Sequence, residues 1–182
     1  MKNKIFLFLT AASLTNFCFA QNSIPAKQYP QQIQCDSTWH PHQFITPAEA
    51  EKIVLHSVFL KDSLCDFKNG YLRYNFTYKA TTIDSSTKLR ASIFFGLEQY
   101  DQAARAKKVY DHIKIENQKI GKVSDLNDIG DEGFLAKDLA NNPFIMIRQN
   151  NRIYKLRALN AANVQLSFDE LMRTAKKIVS SH

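Results

Sequence analysis

The chain has 182 residues, 45% hydrophobic and 23% charged, with 24 Lys and Arg against 17 Asp and Glu for a formal charge of +7. That length is normal for one domain with a sizeable core. The basic residues are spread along the chain with no nucleic-acid-binding motif, which excludes that class of partner.

Lys2 and Lys4 precede the apolar run Ile5-Phe6-Leu7-Phe8-Leu9, and Ala20 closes a cleavage site with Cys18 at the −3 position. Residues 1–20 therefore read as a signal peptide, too short and too poorly flanked to be a stable membrane span. Cleavage removes Lys2 and Lys4 and no acid, taking the formal charge from +7 to +5. It sends the mature chain to the periplasm or out of the cell, with no transmembrane segment. A lipoprotein reading of Cys18 needs small residues just before it, and Asn16 and Phe17 stand there. With Cys18 gone, Cys35 and Cys65 are the only thiols in an oxidising compartment and are expected to pair. Closing that loop stabilises the fold by roughly 3.5 kcal/mol in the chain-entropy account.

Residues 21–34, rich in Gln and Pro, are predicted to stay extended, and a single domain spans 35–182. Thr46, Pro47 and Glu49 open a helix over 47–56, with Ala50, Ile53, Val54 and Ser57 on one face. A strand over Val58–Phe67 leads to Asn69-Gly70, a pair suited to a tight hairpin. In 71–80, Leu72, Tyr74, Phe76 and Tyr78 alternate with Arg73, Asn75, Thr77 and Lys79. In 87–97, Leu89, Ala91, Ile93 and Phe95 alternate with Lys88, Arg90, Ser92 and Phe94. A long helix is expected over 98–118, followed by a loop through the acidic run 125–133 and a strand near 133–138. Strands 143–149 and 152–159 join across Asn150-Asn151. Ser167 and Glu170 form a capping box for a last helix over 168–180, with Phe168, Leu171, Met172, Ala175, Ile178 and Val179 as its apolar stripe. The sum is an α+β domain, an antiparallel sheet with helices packed on it in an α/β/α sandwich.

Three places carry side chains capable of chemistry. Trp39-His40-Pro41-His42 offers two imidazoles to a metal, but two ligands close no site and a surface loop is the better reading. The run Asp125 to Gly133 has Asp, Asn and Gly at positions one, three and six of a calcium loop. It fails at Ile129 and Ala136, where oxygen ligands belong. Its Asp128, Asp131 and Glu132 have no placed nucleophile or base. The third place is a basic sheet face formed by Arg73, Lys79, Lys88 and Arg90, with Lys155 and Arg157 from the other strand pair. Unless its own helix covers it, that face is open to an anionic partner.

Thr46-Pro47-Ala48-Glu49-Ala50, Cys65-Asp66-Phe67, Ile129-Gly130-Asp131-Glu132-Gly133-Phe134, Arg148-Gln149-Asn150-Asn151-Arg152-Ile153 and the terminal amphipathic helix together span residues 44–180. In that order they resemble small exported bacterial proteins of unknown function, which are similar to PsbP-like α/β/α sandwiches. Gly133 stands where those families usually have Ala. The resemblance implies a non-catalytic binding or accessory role and carries over no site residues. The sequence-based expectation is accordingly an exported, non-enzymatic binding protein without a cofactor, of inhibitor or immunity type, whose partner is a protein or envelope component. The alternative is an envelope hydrolase or metal-dependent enzyme assembled from His40, His42, Asp128, Asp131 and Glu132.

Overall fold

The computed structural model describes residues 40–85 and 87–181. A short helix α1 (Pro41–Phe44) occupies the place expected for a surface loop, and it buries Phe44 against Phe95 with ring centroids 4.7 Å apart. Helix α2 (Pro47–Val54) starts as its residues dictate. The Thr46 N–H donates to Glu49 Oε2 at 2.8 Å, and the Glu49 N–H donates back to Thr46 Oγ1 at 3.2 Å. Leu55 at φ 61° then ends the helix two residues before His56, leaving Ser57 outside it and exposed.

Strands β1 (Val58–Lys68) and β2 (Tyr71–Ala80) form the expected hairpin, with Asn69 at φ 54° and Gly70 at φ 72°. Those paired positive φ values match the right-handed twist of the strands they join. Strand β3 (Ser92–Gln99) begins five residues later than its pattern predicts. Lys88 takes φ 60°, and Arg90 turns its guanidinium onto the Ala80 and Thr81 carbonyls. Asp84 organises the same loop by accepting from the Thr87 N–H at 2.8 Å. Leu89, expected in the core, is therefore 51% exposed.

Helix α3 (Ala103–Ile120) is shifted from 98–118, because Glu98 and Gln99 still belong to β3. What reads as one loop after it contains strand β4 (Val123–Leu126), which pairs with β5 (Glu132–Lys137). Strands β6 (Pro143–Gln149) and β7 (Arg152–Leu159) follow with the predicted bounds. Helix α4 (Val164–Ser181) starts before Ser167, which is thus an interior residue. Asn163 is the cap, its Oδ1 accepting from the Leu166 N–H at 3.1 Å.

The seven strands form one antiparallel sheet in the order β1-β2-β3-β7-β6-β5-β4. Alternation sends Tyr74, Phe76, Ile93, Phe95, Ile145, Tyr154 and Leu156 to one face, where they pack with Phe44, Ile53, Leu171 and Ile178 of α1, α2 and α4. The odd members of β7 and even members of β6 point the other way. There Phe134, Met146 and Ile153 meet Ala106 and Tyr110 of α3. The fold is α+β, with a core on each side of the sheet. α3 packs on β4, β6 and β7. The part of that sheet face built by β2 and β3 carries Thr77, Lys79, Ser92 and Phe94, which line a hollow. Among the described residues, no helix is long and apolar enough to cross a membrane.

Candidate binding trough on the open half of the sheet

The register dictates what the open half presents. Thr77, Phe94, Arg157 and Phe144 stand side by side across β2, β3, β7 and β6. One step along each strand pair, Lys79, Ser92 and Leu159 form a second row, and Asn75, Gly96 and Lys155 a third. Gly96 leaves room in the last of these, since a Cβ there would lie 3.2 Å from both Asn75 Oδ1 and the Phe94 ring.

Two hollows meet on this surface. The first, about 540 Å³, lies beneath the second half of α3, walled by Ile113, Asn117 and Ile120, by Leu139 and Ala140 of the β5–β6 loop, and by Phe144. The second, about 410 Å³, is lined by Lys61, Thr77, Lys79, Ser92, Phe94 and Leu159. Phe144 and Arg157 border both, so the hollows adjoin as one trough, each part mixing apolar with charged walls: Asp138, Lys155 and Arg157 in the first, Lys61, Lys79 and Arg157 in the second.

The loop at the α3 end is tied down. Asp138 accepts from the Ala140 and Asn142 N–H groups at 2.9 Å and forms an ion pair with Arg157. Burial works to raise the Asp138 carboxyl, but the Asn142 and Arg157 hydrogen bonds outweigh it and hold the group below its ordinary 3.8. Asn142 Oδ1 in turn accepts from the Asn160 N–H at 2.8 Å. Leu139 projects from this anchored loop 92% exposed. Beside the trough, Lys155 Nζ pairs with Glu98 at 2.6 Å, and Tyr100 donates its hydroxyl to the same carboxylate at 2.7 Å. Burial, with the Glu98 charge beside it, pushes the Tyr71 hydroxyl up to about 12.

The basic face expected from sequence is thus only partly assembled. Arg73 and Lys79 lie on the open face, and Lys155 and Arg157 join them. Arg73 already faces Asp66 at 3.6 Å. Lys88 and Arg90 do not belong to the strand face, because the loop that replaces the start of the strand carries them away. α3 covers the β4, β6 and β7 part of this side, and among the described residues no helix packs on the rest.

The other sites resolve into structural roles or stay apart. His40 and His42 are exposed and stack with centroids 5.2 Å apart. Among the described residues, no three His, Cys, Asp or Glu side chains gather to hold a metal. Arg148 clamps Asp131 and Glu132, each at 2.8 Å, and Asp131 also accepts from the Asn150 N–H at 2.7 Å. These carboxylates lock the 127–131 loop to the β6–β7 turn. Gly130 at φ +64° makes the lock possible, since a Cβ would stand 2.6 Å from the Arg148 carbonyl oxygen. Asp125 pairs instead with Lys114 at 2.6 Å, while Asp128 lines a separate hollow with Lys176 and Lys177. Cys65 sits in β1 opposite Tyr74, partly buried against the core. The signal peptide, the 21–34 segment, Cys35 and Trp39 lie outside the described residues.

Sequence reasoning missed Lys61, Ile120, Leu139 and Phe144 as site residues. One signal was available: Phe94 falls on the polar side of its alternation, an aromatic where a solvated face needs none. Compared with known families, characterised proteins and solved structures, the chain matches no family model, no curated protein and no solved structure.

Proposed function

We propose that the protein is an exported, non-catalytic binding module that seats its partner, a protein or envelope component of anionic character, in the trough on the open half of the sheet. The observation that carries this reading is the half-covered face: α3 packs on β4, β6 and β7, and beside it Phe94 and Leu159 stand among Lys61, Lys79 and Arg157 on a part of the sheet over which no helix of the described residues packs. Apolar floors with a few placed polar groups are what ligand sites use. The signal peptide over residues 1–20 and a Cys35–Cys65 bridge fit a stapled domain working outside the cytoplasm. A resemblance to small exported bacterial proteins of unknown function, similar to PsbP-like sandwiches, supports an accessory role.

Capture from an envelope extract by the mature protein tests the reading. Exposed charges act mainly on association rate and respond to salt. Reversing Arg73 and Lys79 to Glu is therefore expected to weaken capture most at low ionic strength. Capture that is unchanged at every salt concentration removes the trough as the binding surface, and turnover of an envelope substrate replaces the binding reading with an enzymatic one.

A further inference from the structure

We propose that the protein docks on an anionic lipid surface through the end of the sheet where β1 begins and β2 ends, with Leu55, Phe59, Leu60, Ile83 and Leu89 seated below the headgroups. These five side chains line neither hollow of the trough, so the inference stands apart from what the trough holds.

Among the described residues ten large apolar side chains are exposed, and these five, each between 41% and 55% exposed, fall at this one end. The backbone brings them together. The Thr81 N–H donates to the Ser57 carbonyl at 2.8 Å, and Thr82 Oγ1 lies 3.4 Å from His56 Nδ1. The β2–β3 loop is thereby laid against the connection from α2 to β1, one residue from Leu55 on one side and one residue from Ile83 on the other. Phe59 and Leu60 follow at once in β1, opposite Lys79 and Tyr78. Leu89 returns to Ile83 because the Asp84 N–H donates to its carbonyl at 2.9 Å. Asp84 and Arg90 brace the loop from within, through the Thr87 N–H and the Ala80 and Thr81 carbonyls. Exposed apolar side chains scattered singly are ordinary, whereas a cluster of them marks a contact.

Shape and charge select what covers the cluster. Its members project from a helix end, an edge strand and a loop, and none lines the hollow at Asp128 either. Over 51–62 and 79–90, five Lys and Arg stand against three Asp and Glu, and Lys88 is exposed beside Leu89. A second copy docked by the same patch sets these cations against each other. A small anion answers the charge and leaves five apolar side chains in water. A folded acidic partner needs a concavity shaped to side chains on three separate elements, whereas a bilayer conforms to them. Its headgroups meet the basic residues, and the acyl boundary beneath takes the apolar ones.

Co-sedimentation of the mature protein with phosphatidylcholine vesicles, with and without about 30% phosphatidylglycerol, tests the proposal. Binding to the anionic vesicles is expected to be about tenfold tighter than to phosphatidylcholine alone and to weaken as salt is added. Phe59→Glu and Leu89→Glu, both at exposed positions, are each expected to weaken it about tenfold, with urea midpoints close to the parent's showing that the fold is kept. Lys88→Glu should weaken it at low salt and little at high salt. Ile115→Glu, on an exposed part of α3, should leave it unchanged. No binding to anionic vesicles, equal binding to phosphatidylcholine alone, displacement by glycerol 3-phosphate, or binding that survives both apolar substitutions would overturn the proposal. A parent protein that sediments as a dimer, and is made monomeric by Leu89→Glu, would overturn it too by giving the patch to a second copy.

Discussion

Ser167 lies inside α4 with its hydroxyl donating to the Ile53 carbonyl, one of the oxygens that the end of α2 leaves without a helical partner. The contact is fully buried, so water cannot replace it. Ser167→Ala is expected to cost about 1–3 kcal/mol, the penalty for a buried acceptor stripped of its donor, read as a lower urea midpoint. Glu98 supplies a second prediction at this scale. Burial works to raise its carboxyl, but the Lys155 ammonium and the Tyr100 and Tyr71 hydroxyls prevail and hold it below its ordinary 4.5. A carboxyl depressed in the folded state contributes stability that is complete above the unfolded value and is lost as pH falls through the folded one. Unfolding at about pH 7 and about pH 3 should therefore show a smaller acid penalty for Glu98→Gln than for the parent. An equal penalty would mean that the Lys155 pair contributes nothing to acid stability.

At the scale of elements, α4 separates two accounts of how it begins. The spacing of Ser167 and Glu170 reads as a capping box, whereas the structure caps the helix with Asn163 and pairs Glu170 with Arg173 at 2.5 Å on the surface. Asn163→Ala is expected to cost about 0.5–2 kcal/mol, and Glu170→Gln to stay within about 0.5 kcal/mol, both by chemical denaturation. Comparable losses at the two positions would restore the sequence-based cap. Elements governed by local chemistry were legible in this way: Thr46 with Glu49, Asn69-Gly70, and the alternation of Tyr74, Phe76 and Tyr78 each act within a few residues. Those that tertiary contacts decide were not. Leu89 left the core because Arg90 found the Ala80 and Thr81 carbonyls, and Ser167 left the cap because Ile53 needed a donor. The trough was legible only in fragments. Its parts come from β1, β2, β3, β6, β7, α3 and a loop, and no local pattern says that α3 stops short of half the sheet.

For the whole molecule, the expected species is a chain that has lost residues 1–20 and carries one Cys35–Cys65 bridge. Intact-mass analysis with non-reducing alkylation measures both, and a retained leader or two free thiols would contradict the export reading. Replacing Cys65 by Ser should then lower stability by roughly 3.5 kcal/mol on the chain-entropy account. The order of the sheet has a kinetic consequence of its own. Every ladder but one joins strands that follow each other in the chain: β1 through β3 form one meander, and β4 through β7 another. Among the described strands, only β3 with β7 brings distant partners together, the Gln99 and Arg152 side chains meeting across 53 positions at its nearest end. Loop-closure entropy is thus concentrated where the two halves meet, along β3 and β7 and where α2 packs on α4, while the hairpins on either side need little of it. The chain is built as two quickly formed halves whose docking along β3 and β7 sets the speed at which it folds.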